Sequence, residues 1–326
     1  MLACYEAPSI QENDHKDLAS TCFTLYEPVR QSWQSSPFQV DFVYDDVERF
    51  WAAFDSTEGK TLPEQVDIYQ KMYLDQATDG FRSWIVKRSK TAQELAEGIE
   101  AMRPFYVSIR DNTLSVSSME KEVRAGFLAL KYLYPEALFP NVYFFVWHFF
   151  STGSTTTDLG LMISAETVSI DEKTPLDAIP EIHRPMVKSM TQATVPSLVL
   201  HESIHFQQAD YDVTNLLELS IREGSADFIS ELCTGRLQND AVHRYASSKR
   251  QALWKEFNSK MLTNNFTGWR YIPKDRPAGL AYWMGYQISE AYFINAPDKL
   301  KAIHYLINTD DYHSVYEESK FWETID

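Results

Sequence analysis

The segment TVPSLVLHESIHFQQ, residues 194–208, is the most informative part of the sequence for both fold and function. Pro196 suits the first turn of a helix, Thr194 is a candidate N-cap, and an aliphatic run precedes two histidines. Positions i and i+4 share one helix face, so His201 and His205 can both reach a single metal ion. Glu202 lies between them, close enough to take a proton from water held there. The segment therefore predicts a helix that carries a metal-binding HExxH motif.

A second segment, residues 216–229, has a helical pattern and supplies a candidate third ligand. A catalytic zinc site needs three protein ligands and one open position. Glu223 is flanked by the small residues Gly224-Ser225-Ala226, which would allow this helix to approach the first closely. Asp227 lies one turn further on the same face, where it can accept the remaining N–H of a zinc-bound histidine. Glu218 is the alternative ligand, but it lacks both the small neighbours and the aspartate partner.

The remainder of the chain predicts an α+β fold that is predominantly α-helical. Helical patterns before the motif alternate with short breaks, and helices return after about Pro180. Between them lie two strand-like runs, residues 141–147 and 158–164, which predict a small β-sheet or hairpin before the HExxH helix. The helical patterns cover residues 45–54, 63–75, 91–102 and 118–133.

The domain organisation predicted from these elements is a short tether followed by one domain. No internal repeat, low-complexity tract or Gly/Ser linker divides the chain. We expect two lobes around a zinc cleft, without a boundary between independently folding domains. The predicted parts are a tether over 1–20 and a metallopeptidase-like domain over 21–326, with an N-terminal lobe over about 21–190 and a zinc-binding lobe over about 191–326.

Composition excludes several classes of partner. The chain has 326 residues, and its 46 acidic and 30 basic residues leave a net charge of −16. Such a surface repels phosphate backbones, which argues against nucleic acid and anionic membrane surfaces as partners. The densest apolar run, residues 142–150, is too short to span a membrane.

Cysteine usage bears on the compartment. Three cysteines cannot form a disulfide framework. Cys4 follows Met1-Leu2-Ala3, however, in the way that a bacterial lipoprotein signal ends at its lipidated cysteine. We therefore expect a bacterial extracytoplasmic protein with a possible lipid anchor at Cys4, or otherwise a cytoplasmic one.

The combination of HExxH with a downstream Glu-x-x-x-Asp resembles the gluzincin metallopeptidases of the thermolysin clan. The chain also resembles predicted zinc-dependent proteases of that type and the related gliding-motility lipoproteins of bacteria. The metal motif is specific, whereas the other shared patterns are loose, and together they span most of the chain. They occupy residues 46–51, 201–208, 223–228, 285–288 and 318–321.

The resemblance implies a zinc-dependent peptidase that acts on a peptide or protein substrate. One Zn²⁺ per chain would be held by His201, His205 and Glu223, with Asp227 in the outer shell and Glu202 as general base. A further donor should stabilise the tetrahedral intermediate, and several candidates remain open. They are Arg276, Tyr282, Tyr286 and His304.

Two further alternatives remain at this stage. Residues 158–164 could form an edge strand that pairs with extended substrate, or could simply close the core. The protein could also be a non-catalytic, peptidase-like binding or assembly lipoprotein. The presence of Glu202 favours the enzyme, since a binding protein has no chemical need for a general base.

Overall fold

The computed structural model describes residues 33–149, 155–157, 159–208, 212–270 and 276–325. The predicted tether over 1–20 and Cys4 lie outside these residues. Helices dominate the described chain and are accompanied by one small sheet, which confirms the predominantly helical α+β class. None of the described helices combines the length and apolar character needed to cross a bilayer.

The chain forms two compact units, each assembled from separate stretches of sequence. The sheet unit takes the described residues up to Ala101 together with Leu138–Ser164. The helical unit takes Met102–Ala137 and Ala165–Asp326. The chain therefore passes from one unit to the other near residues 101, 137 and 164. The lobes predicted over about 21–190 and 191–326 stay a prediction.

The sheet unit contains four helices and a four-stranded sheet. The predicted helix over 63–75 is observed as α2 continued by a π-helical turn, Gln70–Leu74. The bounds are α1 Asp45–Ser56, α2 Leu62–Tyr69, α3 Asp79–Lys87, α4 Ala92–Ala101, β1 Phe42–Val43, β2 Asn141–Phe145, β3 Thr155–Thr157 and β4 Gly160–Ser164.

The sequence predicted a small β-sheet or a hairpin before the HExxH helix, and the structure shows a small sheet in which the two strand-like runs do not form a hairpin. Its order is β1-β2-β4-β3, and β2 pairs with β4 in parallel, from Asn141 opposite Gly160 to Phe145 opposite Ser164. The antiparallel partner of β4 is the short strand β3. Because β4 has a bonded neighbour on each side, the expectation of a substrate-pairing edge strand over 158–164 is wrong. All five residues of β4 are buried, as is typical of an interior strand.

Aromatic side chains fill the core of the sheet unit. The Phe81 ring stacks on Phe145 with centroids 4.9 Å apart, and Trp84 meets Trp147 edge-on at 5.4 Å. The Tyr73 hydroxyl donates to the Val146 carbonyl at 2.6 Å and so satisfies a backbone group beside β2. Phe50 of the helical pattern over 45–54 joins this core, with its ring centroid 5.5 Å from that of Tyr73.

A buried aspartate ties α1 to the start of α3. Asp46 is fully buried and accepts hydrogen bonds from the Thr78 amide at 3.0 Å, from the Thr78 hydroxyl, and from Arg49 at 3.1 Å. Burial raises the pKa of this carboxyl even though all three donors oppose that shift. Asp46, the first residue of the 46–51 pattern, therefore links α1 to the residue that precedes α3.

The helical unit is built from ten helices of the described chain. The helix Glu120–Leu133 was predicted over 118–133, whereas the helix Arg103–Leu114 lies between the predicted patterns over 91–102 and 118–133. The bounds are α5 Arg103–Leu114, α6 Glu120–Leu133, α7 Arg184–Lys188, α8 Val195–Gln207, α9 Leu216–Thr234, α10 Asp240–Ser247, α11 Arg250–Asn258, α12 Leu280–Asn295, α13 Lys299–Asn308 and α14 Tyr312–Ser319.

Helix α9 is central to this unit because it packs against both α8 and α12. A Cβ atom on Gly224 would lie 2.0 Å from the Tyr286 amide nitrogen, and one on Gly285 would lie 1.5 Å from the Ser220 carbonyl oxygen. The backbones of α9 and α12 are therefore in direct contact at this crossing. The small residues after Glu223 were expected to face the HExxH helix, but Gly224 faces α12.

Candidate metal centre

Helix α8 presents both histidines of the motif on one face, as its sequence predicts. Pro196 lies in the first turn, and nearly every residue of the helix is buried. The rings of His201 and His205 meet edge-on, with centroids 4.5 Å apart and an interplanar angle of 87°. Their Nε2 atoms lie 3.0 Å apart, so both lone pairs can point at one position.

Glu223 reaches the same position from α9. Its Oε2 lies 3.0 Å from His205 Nε2 and 3.5 Å from His201 Nε2. Three ligands about 2.0–2.1 Å from a tetrahedral metal stand roughly 3.3 Å apart, and the three separations here bracket that value. Two imidazole nitrogens and one carboxylate oxygen are also donors that zinc accepts. Within the described residues, this is the one group of three or more such side chains positioned to hold a metal ion.

Two polar side chains orient the histidines from behind. Asp227 is 1% exposed, and its Oδ1 lies 2.7 Å from His201 Nδ1, as the spacing along α9 predicted. Gln208, which the sequence interpretation did not single out, places its Oε1 2.8 Å from His205 Nδ1. With each Nδ1 bonded to an oxygen, each Nε2 is turned toward the shared position.

The electrostatics of the cluster are dominated by burial and by its carboxylates. Burial alone would lower the pKa of His201, but Asp227, Glu223 and Glu202 outweigh it and raise that pKa to about 10. Burial would likewise raise the pKa of Glu223, yet His205 and His201 hold it well below its usual range. The carboxylate of Glu223 therefore stays ionised, which is the form that binds a cation.

Glu202 lies beside the cluster without belonging to it. Its side chain is 7% exposed and forms no hydrogen bond to any described residue. A carboxylate whose oxygens are not hydrogen-bonded to protein groups is available to a water molecule and can accept its proton.

Of the four candidates for the additional donor, one lies beside the cluster. The Tyr282 ring is nearly parallel to the His201 ring, with an interplanar angle of 19° and centroids 6.1 Å apart. The other three candidates have different neighbours. Tyr286 donates its hydroxyl hydrogen to Glu231, Arg276 binds both carboxylate oxygens of Glu256 at 2.7 and 2.9 Å, and the exposed His304 lies against the Tyr134 ring.

The alternative ligand Glu218 has a structural role at the N-terminus of α9. Its carboxylate accepts hydrogen bonds at 2.7 Å from both the Thr214 amide and the Asn215 side chain. Asn215 in turn caps the helix. Glu218 is thus not among the residues that converge on the metal position.

Comparison with known proteins places the chain in a family. The sequence pattern of a lipoprotein family described as gliding motility protein GldB matches residues 34–322, which include every residue of the candidate centre. The chain belongs to this family. The match confirms the resemblance to gliding-motility lipoproteins, while the resemblance of this GldB-family chain to gluzincin peptidases stays a prediction. No curated protein and no solved structure matches the chain.

Proposed function

We propose that this GldB-family chain is an assembly lipoprotein of gliding motility that binds one Zn²⁺ and holds a peptide or protein partner at that site. The family match supports the cellular role. The observation that carries the zinc site is the convergence of His201, His205 and Glu223 within 3.5 Å of one another.

The donor set fits zinc in kind and in arrangement. Bound zinc would supply a Lewis acid able to polarise a carbonyl or carboxylate oxygen of the partner. Asp227 and Gln208 hold the two imidazoles in the orientation that this requires, and Glu223 contributes negative charge. Three protein ligands leave a fourth position for the partner's oxygen.

The proposal also places the protein outside the cytoplasm. A lipoprotein family is consistent with a lipid anchor, and Cys4 is the residue that would carry it. The partner would then be met at an extracytoplasmic membrane surface.

Hydrolysis of a peptide bond is the second candidate function, and Glu202 favours it. Its carboxylate, which has no hydrogen-bond partner among the described residues, could take a proton from water as the water oxygen attacks the carbonyl carbon. The C–N bond would then break, and Glu202 would pass that proton to the leaving nitrogen. The chain would in this case be a zinc metallopeptidase.

Elemental analysis of the purified chain and of His201→Ala tests the zinc site. We expect about one zinc per chain, lost in His201→Ala and retained in His304→Ala, whose exposed ring lies away from the cluster. Absence of zinc after reconstitution at neutral pH would contradict the proposal.

Glu202→Gln separates the two candidate functions. An assembly role predicts that cells carrying this variant still glide, whereas cells carrying His201→Ala do not. A peptidase predicts that the wild-type chain cleaves members of a peptide library and that Glu202→Gln binds zinc without cleaving them. Gliding that is lost in both variants, together with such cleavage, would favour the enzyme.

A further inference from the structure

Gln208 lies at the C-terminal boundary of α8, and both ends of its side-chain amide are engaged. The side chain is 3% exposed. Its Nε2 lies 3.1 Å from the Arg222 carbonyl oxygen and 3.1 Å from Ser225 Oγ, while its Oε1 lies 2.8 Å from His205 Nδ1. A backbone carbonyl can only accept, so the amide NH₂ must be the group that faces Arg222.

This arrangement places a hydrogen on Nδ1 of the His205 ring. Because the amide oxygen faces His205 and can only accept, Nδ1 must carry the hydrogen of that bond. Nε2 is then the nitrogen left for a cation, and it lies 3.0 Å from Glu223 Oε2. The opposite tautomer would leave two acceptors facing each other at Nδ1.

We propose that Gln208 is a positioning residue for metal binding, which fixes the tautomer and orientation of His205 and links that ring to the backbone beside Glu223. The proposal rests on the zinc site proposed above. Arg222 immediately precedes Glu223, so a single amide joins one ligand to the turn of α9 that carries another.

The two histidines are thus oriented by groups of different charge. His201 faces the carboxylate of Asp227, and His205 faces the neutral amide of Gln208. A carboxylate at position 208 could also accept from Nδ1, but it would place an acceptor against the Arg222 carbonyl. The NH₂ group of glutamine is therefore as necessary to the arrangement as its oxygen.

Three variants of the full-length chain test this role by zinc affinity, measured by competition with a chromogenic chelator. We expect Gln208→Met, which has neither donor nor acceptor, to bind zinc about ten- to a hundredfold more weakly than wild type. Gln208→Glu should recover part of this loss because it restores the acceptor. Gln207→Met is the matched control, since Gln207 donates to the Ser203 carbonyl within α8, and its affinity should stay within about twofold of wild type.

A readout that does not depend on zinc is the ¹⁵N NMR signature of His205 in the metal-free chain. We expect a hydrogen-bonded, exchange-protected hydrogen on His205 Nδ1 in the wild type and in Gln208→Glu, and loss of that protection in Gln208→Met. Wild-type affinity and an equally protected Nδ1 hydrogen in Gln208→Met would overturn the role of Gln208 and leave the zinc site standing. A wild-type chain that binds no zinc would instead remove the zinc site and the metal-binding role of Gln208 with it.

Discussion

Both compact units bury an aspartate almost completely, yet the two carboxylates have different roles. Asp46 in the sheet unit is 0% exposed, and Asp227 in the helical unit is 1% exposed. The donors to Asp46 belong to Thr78 and Arg49, so its hydrogen bonds only hold chain segments together. The partner of Asp227 is His201, whose second nitrogen points at two other candidate ligands.

Burial of a charge therefore does not by itself mark a functional site. Burying a carboxylate is costly in either unit and must be compensated by hydrogen bonds. What distinguishes Asp227 is that its partner, His201, has a further group able to bind something else. Substitutions at the two aspartates should therefore separate fold stability from metal affinity.

The largest expected effect is that of Asp46→Ala. Removing this acceptor leaves the Thr78 amide and the Arg49 guanidinium without their buried partner, and we expect a loss of about 3 kcal/mol in the free energy of unfolding. Denaturant unfolding measures it. The zinc content of the folded variant should equal that of wild type.

Asp46→Asn is the matched control for that change. It keeps an acceptor oxygen, and burial already disfavours the charge, since it raises the pKa of Asp46. We expect a cost of about 1 kcal/mol. Equal costs for the two substitutions would show that the acceptor oxygen kept by asparagine recovers nothing and that Thr78 and Arg49 require the carboxylate.

The next effect is that of Asp227→Asn on metal affinity. An amide in place of the carboxylate removes the charge that favours the bonded orientation of His201, so zinc should bind about ten- to a hundredfold more weakly. Chelator competition measures it. Glu231→Gln, one turn further along α9 and bonded to Tyr286, should leave the affinity nearly unchanged. Equal weakening by both would mean that only the overall negative charge of α9 matters.

The smallest effect concerns Glu256, a partly exposed carboxylate that supplies a third case for the comparison. Hydrogen bonds from Arg276, and then from Lys260 and Trp269, lower its pKa from 4.5 to about 2 against the opposing effect of burial. A lowered pKa adds stability above pH 4.5, and this contribution is lost as the pH falls toward 2.

Glu256→Gln should accordingly lower the free energy of unfolding at pH 7 by about 1 kcal/mol, a modest figure because solvent screens a side chain that is 36% exposed. The variant should also lose less stability than wild type when the pH is lowered from 7 to 3, which denaturant unfolding at the two values measures. Parallel losses would indicate that other carboxylates carry the acid sensitivity.

Local spacing made much of the candidate centre predictable. The i, i+4 pairs His201 with His205 and Glu223 with Asp227 each share a helix face, and the structure brings all four side chains together. Gly235 ends α9 with φ 66°, as a glycine after a helical pattern indicates.

Features that depend on distant backbone were not accessible from sequence. Gln208 acts through the carbonyl of Arg222, which leaves no signature in side-chain types. Tyr286 lies one turn from Tyr282, yet its hydroxyl is bound by Glu231 on another helix. The parallel pairing of β2 with β4 could not be predicted for a similar reason, because an apolar run such as residues 160–164 does not specify its partner strand.

The contact between α9 and α12 limits how the candidate centre can change. Glu223 is followed at once by Gly224, whose Cα faces the backbone of α12 with no side chain between them. Cores usually tolerate a substitution because neighbouring side chains can change size to compensate. Where two main chains are in direct contact, no side chain is present that could compensate. A directed-evolution library that randomises residues 220–228 should therefore return glycine at 224 whatever property is selected, and new ligand geometries would have to arise from α8.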